Sequence, residues 1–230
     1  GTAANGFSLT GMAYQADWTA TEHVPERAIT NGEIGRYGAL SPNDGGKTHR
    51  YSLAGDWAQI TATGARKASL YVIDYGLNLF SAPSGYISGA QGDQHEQADE
   101  RTVWGGQASQ SWFLGANWKD TEITAGLQLR HDRISKVGLY TTENRRRTAT
   151  VREDRIEESA VAALIEARTQ WTGWLRTNLG LRRNQIYAKS TALAGQYNMD
   201  NGGSTDAGQT SPKLGVVFGP FNLFGQTELY

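Results

Sequence analysis

A period of two in the placement of apolar residues is the feature that most limits what this chain can fold into. In the segment 122–132, apolar residues fall on alternate positions, namely Ile123, Ala125, Leu127 and Leu129. The segments 51–57, 69–79 and 174–184 alternate in the same way, and in 69–79 the odd positions form the apolar set while Asp74 belongs to the polar set. Because successive side chains of a strand point to opposite faces, this pattern predicts strands with one apolar face. We expect about eight such strands and the beginning of a ninth near Thr227.

Composition limits how such a chain can meet a membrane and which partners it can have. No stretch approaches the roughly 18 consecutive apolar residues of a spanning helix. Only 38% of the residues are hydrophobic, with 28 glycines, 10 tyrosines and 7 tryptophans, which suits strands that carry apolar positions between polar ones. The net charge of −1 provides no basic field for nucleic acid, so no nucleic-acid partner is expected. The absence of cysteine excludes thiol catalysis, cysteine-based zinc sites and disulfides.

Both ends of the sequence suggest a piece of a longer protein. Residues Gly1 to Gly6 contain no initiating Met and no signal peptide. Residues Gln226 to Tyr230 resemble the opening of another strand. We therefore expect further strands before and after this segment.

The predicted connections alternate in length along the chain. Short links are predicted at 61–66, 115–120, 169–173 and 220–225, and long loops at 19–48, 83–100, 135–150 and 194–209. The long loops contain turn-forming runs at Asn43 to Gly46, Pro83 to Gly85 and Asn201 to Gly203. Short turns on one rim and long loops on the other are typical of outer-membrane barrels, whereas a soluble sandwich has no reason to alternate in this way.

Aromatic residues gather at the predicted short links. They are Trp57, Trp112, Phe113, Trp118, Trp171, Trp174, Phe221 and Phe224. Amphipathic rings collect at membrane interfaces, where one end of the ring is apolar and the other is wet. We interpret the group as an aromatic girdle on the periplasmic side.

The segment from Glu158 to Arg168 has the alanine, leucine and glutamate content of a helix. It lies between a predicted long loop and a short turn, opposite the strand that starts at Trp174. Pairing context commonly overrides local propensity in sheets, so we predict a strand here.

Several stretches of the chain carry a family resemblance: Asn78 to Phe80, Gly92 to Asp99, Gly126 to Arg130, Ser211 to Gly215 and Thr227 to Tyr230. They resemble the barrel region of TonB-dependent receptors, and the resemblance spans essentially the whole chain. It implies an all-β, antiparallel, up-and-down transmembrane β-barrel, of which residues 1–230 would supply eight or nine meandering strands out of about 22. The plug domain and the C-terminal part of the barrel would then be absent from this chain.

The same resemblance implies a function in the bacterial outer membrane. Receptors of this kind take up a scarce nutrient actively, most often a ferric siderophore or a similar metal chelate. The implied partners are the lipid bilayer, lipopolysaccharide, the missing plug domain, the remaining barrel strands and the TonB complex, which acts through the plug. No cofactor is expected.

Candidate ligand contacts lie in the long loops and on the polar strand faces. They are His95, Arg130, Arg145, Arg146, Arg147 and Arg176. Guanidinium groups bind anionic chelates, or the phosphates of lipopolysaccharide, through paired hydrogen bonds. The alternative for the arginine run is a solvated loop with acidic neighbours, and for the strand residues it is hydrogen bonding to one another and to the plug. The residues expected to line the lumen are Asp74, Glu122, Gln128, Arg130, Arg176, Asn178, Arg182 and Asn184.

Metal and catalytic chemistry find little support in the sequence. The four histidines show no metal-ligand spacing, although His95 lies in an acidic run that includes Asp93 and Glu96. Adjacent carboxylates such as Glu157 and Glu158 point to opposite faces of a strand and cannot converge on one substrate atom. We therefore predict no resident metal, no catalytic residues and no enzymatic activity.

Two other functions remain open. One is a small complete outer-membrane barrel of eight strands that acts as an anchor or adhesin, in which the first and last strands would pair. The other is a soluble all-β carbohydrate-binding module, in which Trp112 and Trp174 would stack on sugars.

Overall fold

A computed structural model describes residues 5–82, 93–115, 119–222 and 225–230. It contains nine strands and one short helix: β1 (Gly6–Thr19), α1 (Glu26–Thr30), β2 (Gly45–Thr61), β3 (Gly64–Ser81), β4 (His95–Phe113), β5 (Thr121–Glu143), β6 (Arg146–Thr172), β7 (Leu175–Ala194), β8 (Gly203–Asn222) and β9 (Gln226–Leu229). Every strand pairs antiparallel with the next one along the chain, in one sheet of order β1 to β9. The predicted all-β meander is confirmed, and the segment from Glu158 to Arg168 lies within strand β6.

The sheet is open, because β1 and β9 are its two edges and do not pair with each other. No helix among the described residues is long and apolar enough to cross a membrane.

The connections agree with prediction at the short-link end of the sheet, and at the other end residues 20–44 and 195–202 connect strands where long loops are predicted. Residues 62–63 join β2 to β3, and residues 173–174 join β6 to β7. The predicted long loop at 135–150 is wrong, because β5 and β6 extend through it and meet in the two-residue turn Asn144–Arg145. Both turn residues have positive φ, 51° and 63°, as required by the type I′ turns that fit the twist of a hairpin. The turn-forming run Pro83 to Gly85 lies outside the described residues.

The pairing register assigns side chains to two faces of the sheet. Leu53, Val72, Trp104 and His131 are paired neighbours on four successive strands and therefore lie in one row on one face. We call the part of the sheet between this row and the short links the lower half, and the part beyond the row the upper half.

One face of the lower half exposes large apolar side chains on eight strands. The sixteen residues are Phe7, Leu9, Leu53, Trp57, Leu70, Val72, Trp104, Trp112, Leu127, Leu129, Val161, Ile165, Leu179, Leu181, Leu214 and Phe218. The opposite face is polar and encloses hollows of about 770 and 700 Å³. We call the polar face concave and the apolar face convex.

Three details of the predicted faces need correction or fall outside the structure. Asp74 lies on the convex face, since it pairs with Tyr51 in register with the apolar row, and it does not face the polar hollows. The odd positions Ser69 and Tyr71 face the concave side instead. Of the aromatic residues, Trp118 and Phe224 lie outside the described residues.

Candidate functional site

The centre of the concave face holds a row of amide side chains. Gln107 on β4 pairs with Gln128 on β5, which pairs with Ala162 on β6, which pairs with Asn184 on β7. The 700 Å³ hollow is lined by these four residues, with Arg130 one step above the row and Arg182 one step below it. Three of these strands, β4, β5 and β7, therefore place polar side chains around one hollow.

Arg182 reaches across a neighbouring strand to join this row. Its Nε donates to Asn184 Oδ1 at 2.8 Å on its own strand. Its Nη2 donates to Gln128 Oε1 at 2.7 Å, two strands away. Ala162 lies on β6, between β5 and β7, in the row of Asn184 and Gln128. Its side chain is small enough to let the guanidinium pass over it. Gln128 Nε2 in turn donates to Gln107 Oε1 at 3.2 Å.

Arg130 is held by a carboxylate two residues further along its own strand. Its Nε and Nη2 donate to the two oxygens of Asp132 at 2.7 and 2.8 Å. The side chain of Asp132 is 7% exposed, whereas that of Arg130 is 57% exposed. The buried carboxylate thus fixes a guanidinium that faces the hollow.

The same spacing recurs in the upper half of the concave face. Arg101 Nε donates to Asp99 at 2.8 Å, and Arg152 donates to Asp154. In both pairs the carboxylate is more deeply buried than the guanidinium. Alternate residues of a strand share a face, so an Arg and an Asp two positions apart meet side by side.

A polar cluster with a buried centre closes the upper edge of the sheet, and we call it the rim cluster: the buried Asp44, Gln94, Glu96 and Thr142 with the more exposed Arg145 and Arg147. Asp44, before β2, accepts hydrogen bonds from Ser41 at 2.8 Å, Gln94 at 2.9 Å and the Ala82 amide at 3.1 Å. Gln94 Oε1 accepts from Thr142 at 3.0 Å and from the Arg145 amide at 2.9 Å. These bonds tie the upper ends of four strands together.

The two outer arginines of the Arg145–Arg147 run are engaged within the rim cluster. Arg145 Nε donates to the Asn43 carbonyl at 2.6 Å, and its guanidinium lies 5.2 Å from the centre of the Phe80 ring. Arg147 binds both oxygens of Glu96 at 2.6 and 2.9 Å and stacks 3.6 Å from the centre of the Tyr140 ring.

Electrostatics in the rim cluster favour the charged form of Glu96. Burial raises the pKa of this carboxyl, but hydrogen bonds from Arg147 and Asn78 outweigh burial, and the pKa lies below its ordinary value. Burial and a hydrogen bond to Glu153 raise the pKa of Tyr140 well above its ordinary value. The charged Arg147–Glu96 pair of the cluster therefore lies against the neutral phenol of Tyr140.

The predicted ligand residues lie in three separate places. Arg130 faces the central hollow, whereas Arg176 lies at the lower end, 3.4 Å from Glu228. Arg146 is exposed at the β5–β6 turn. His95 lies at the start of β4, where its Nδ1 is 2.9 Å from the Asp93 carbonyl oxygen. A ligand-binding role for these residues stays a prediction.

Sequence reasoning chose Arg130 but missed the groups that surround it. Gln107 was not singled out, and Arg182 and Asn184 were named only as lumen-lining residues. The Arg-x-Asp or Arg-x-Asn spacing at Arg130 and Arg182 is visible in the sequence and could have indicated fixed guanidinium groups. No three His, Asp or Glu side chains in the described part of the chain converge as ligands for a metal ion.

Compared with known proteins, the chain matches no protein-family model and no curated protein. The resemblance to TonB-dependent receptors therefore stays a prediction from the sequence.

Proposed function

We propose that this chain forms part of the barrel wall of a TonB-dependent outer-membrane receptor, which actively takes up a scarce nutrient such as a ferric siderophore or a similar metal chelate. In this proposal the chain is a transport protein and not an enzyme. The observation that carries the proposal is the exposed apolar convex face of the lower half.

That face has the character of a lipid-contacting surface. Sixteen large apolar side chains are exposed there, whereas soluble monomers rarely expose contiguous apolar patches of more than a few hundred Å². A soluble carbohydrate-binding module would hold this whole face in water. A membrane instead supplies the apolar contact that the face lacks.

The height of the apolar face fits an outer membrane. Trp104 and Trp112 mark its borders on β4, eight residues apart, which is about 27 Å along a strand. A strand tilted by about 40° rises about 21 Å over this length, which approaches the apolar band of roughly 25 Å in outer-membrane barrels. Aromatic rings lie at both borders: Trp104 contacts His131 at the upper one, and Trp174 stacks on Phe218 at the lower one.

The open edges of the sheet call for further strands. Unpaired backbone groups of β1 and β9 would be costly in hydrocarbon, because each needs a hydrogen-bond partner and only closure removes the edges. A barrel of about 22 strands, in which this chain supplies nine, meets that need. An eight-stranded anchor or adhesin would require its first and last strands to pair, and β1 and β9 do not.

The concave face would then line an aqueous lumen. Its hydrogen-bonded amides and guanidinium groups suit a wet interior that contacts a plug domain and an incoming ligand. The upper half would project beyond the membrane, with the rim cluster near lipopolysaccharide and the extracellular solution. Release of the ligand would draw energy from the TonB complex through the plug.

Cysteine labelling of the whole protein in its outer membrane tests the membrane assignment. The chain contains no cysteine, so single substitutions provide unique labelling sites. We expect Leu70→Cys on the convex face to react with a lipid-soluble maleimide and not with a charged one, and the neighbouring Ser69→Cys to react with the charged reagent. Equal labelling of both positions by the charged reagent would contradict a lipid-facing convex surface.

Uptake tests the transport assignment separately. We expect deletion of the gene to abolish growth on at least one ferric siderophore supplied as the sole iron source, and loss of TonB to have the same effect. Normal growth of the deletion strain on siderophores, haem, cobalamin and sugars would overturn the receptor function even if the barrel is correct.

A further inference from the structure

The hydrogen-bonding direction of the central amide row is fixed by Arg182. A guanidinium group only donates hydrogen bonds, so the atoms of Asn184 and Gln128 that face Arg182 must be their oxygens. The Nε2 of Gln128 must then point the other way, where it donates to Gln107 Oε1. One arginine therefore sets the orientation of three amides in sequence.

This arrangement leaves the hollow rich in donors. The oxygens of Asn184, Gln128 and Gln107 each accept a bond from within the row. The NH₂ groups of Asn184 and Gln107 are left to donate outward, and so is the second N–H of Gln128. A molecule that enters the hollow thus meets these donors, together with the Gln209 amide and the hydroxyl groups of Ser69 and Tyr71, which can also accept.

The two arginines add positive charge to the same surface. Asp132 engages Nε and Nη2 of Arg130, so the Nη1 edge of this exposed guanidinium remains open to a ligand. Arg182 binds only neutral amides and keeps its full charge. No described residue that lines the hollow is Asp or Glu. Asp132, just outside the lining, pairs with Arg130 and offsets part of its charge, whereas no carboxylate of the lining opposes Arg182.

We propose that this hollow binds a multivalent oxyanion, a molecule that carries several carboxylate or phosphate groups, with Arg130 and Arg182 as its main contacts. A volume of about 700 Å³ accommodates a small organic ligand. Planar guanidinium groups match carboxylate and phosphate oxygens in pairs. The inference deepens the proposed function and rests on it for the access of water to the concave face.

Charge-selective labelling of the whole protein tests this inference. Ala160 lines the hollow beside Arg130, and Ala160→Cys provides a thiol there. We expect a negatively charged sulfonate methanethiosulfonate reagent to react with this thiol at least about tenfold faster than a positively charged ammonium reagent. Citrate and inorganic phosphate, added separately, should each slow the reaction.

Arg182 and Arg183 provide a matched pair, because they are adjacent and face opposite sides of β7. Arg183 binds Thr210 and Gln185 on the convex face. In the Ala160→Cys background we expect Arg182→Gln to reduce the preference for the sulfonate reagent and to weaken citrate protection about tenfold, the effect of losing a charged hydrogen bond. Arg183→Gln should change neither quantity.

Three results would overturn the inference: equal rates for the two reagents, equal effects of Arg182→Gln and Arg183→Gln, or no reaction of the thiol with either reagent. None of them alone decides the proposed function, because the convex-face labelling at Leu70 and the growth tests are read independently. Protection by citrate but not by phosphate would assign the hollow to carboxylates, and the reverse result would assign it to phosphates.

Discussion

The lower and upper halves of the sheet belong to the same strands but distribute polar and apolar side chains over the two faces differently. In the lower half, apolar residues such as Leu70 and Leu127 cover the convex face, and amides and arginines cover the concave face. In the upper half, ion pairs lie on the convex face, among them Lys47 with Asp17. The upper concave face combines apolar side chains, among them Leu77, Val137 and Leu139, with the carboxylates of Asp99 and Asp154.

The chain inverts its pattern by two different devices. On β3 the apolar set simply changes phase, from the even positions Leu70 and Val72 to the odd positions Leu77 and Leu79. On β5 the apolar positions stay odd. The register of its pairing with β4 shifts at the step from Glu100 to Arg101, and this shift moves the odd positions of β5 to the other face. A strand crossing two environments can therefore respond through its sequence or through its register.

The inversion indicates that the alternation of apolar and polar residues follows the environment of each face of a strand. That environment changes along the length of the strand. In the proposed barrel, lipid contacts the convex face only in the lower half, and water contacts it above. The level at which the pattern inverts then marks the outer border of the hydrocarbon layer, near the row that contains Trp104 and His131.

A charge placed on the convex face of the lower half gives the most direct test of the difference between the two halves. We expect Leu127→Arg to destabilise the proposed barrel by about 2 to 4 kcal/mol, the cost of an arginine near the middle of a bilayer, because Leu127 pairs with Ala108, midway between Trp104 and Trp112. The matched change Gln128→Arg, on the concave face of the same strand, should cost far less. Both variants are compared by the amount of protein that assembles in the outer membrane and by the heat-modifiable electrophoretic migration of that protein. Equal losses for the two variants would mean that the convex face does not contact lipid.

In the upper half the largest effect is expected at Asp44 of the rim cluster. Its side chain is buried and accepts bonds from Ser41, Gln94 and the Ala82 amide. We expect Asp44→Ala to lower the local free energy of opening by about 2 to 3 kcal/mol, because buried donors lose their acceptor. Amide hydrogen exchange of the upper strand ends measures this loss.

A matched control tests whether burial is the cause. Asp17 forms an exposed ion pair with Lys47 at 3.4 Å, and such pairs contribute less than about 1 kcal/mol. Asp17→Ala should leave hydrogen exchange nearly unchanged. An equal effect of both variants would show that the rim cluster is no more important than a surface ion pair.

Much of the fold could be predicted because alternation is a local signal. Nine strands, their order and the strand at Glu158 to Arg168 follow from period two and from pairing context. The loop predicted at 135–150 was wrong because both faces of β5 and β6 become partly polar there, so alternation fades while pairing continues. Asp74 was misassigned because the phase change on β3 occurs within one strand.

The candidate site was less predictable because it depends on register. Arg130 was selected as a charged residue on a polar face, and that choice needs no knowledge of its neighbours. The contact of Arg182 with Gln128 joins residues 54 positions apart and exists only because Ala162 lies between their strands. No local pattern contains that information, since register arises from the pairing of whole strands.

Acid should weaken the upper half and spare the lower half. The folded-state pKa of Glu96 lies below its ordinary value, so its contribution is complete above the ordinary carboxyl value of about 4.3 and is lost as pH falls through the lowered folded value. We expect hydrogen exchange near Glu96 and Tyr140, corrected for intrinsic rates, to accelerate on acidification in this range. Amides around Leu127 should change little.

The variant Glu96→Gln separates this carboxyl from the other acidic groups. It keeps an oxygen for Asn78 but loses the ion pair with Arg147. Its exchange near residue 96 should already be faster at neutral pH and should respond less to acid. An unchanged acid response in the variant would assign the pH dependence to another group.

The smallest effect is expected at the turn that joins β5 to β6. Asn144 has φ 51°, and its Oδ1 accepts a hydrogen bond from Asn43 Nδ2 at 2.8 Å. Alanine in this left-handed conformation is strained by roughly 1 to 2 kcal/mol, and glycine is not. We expect Asn144→Ala to speed hydrogen exchange at the tip of the hairpin accordingly, and Asn144→Gly to have a smaller effect. If the alanine and glycine variants behave alike, the connection is not a type I′ turn. The upper half would then contain a loop at the point where β5 and β6 meet.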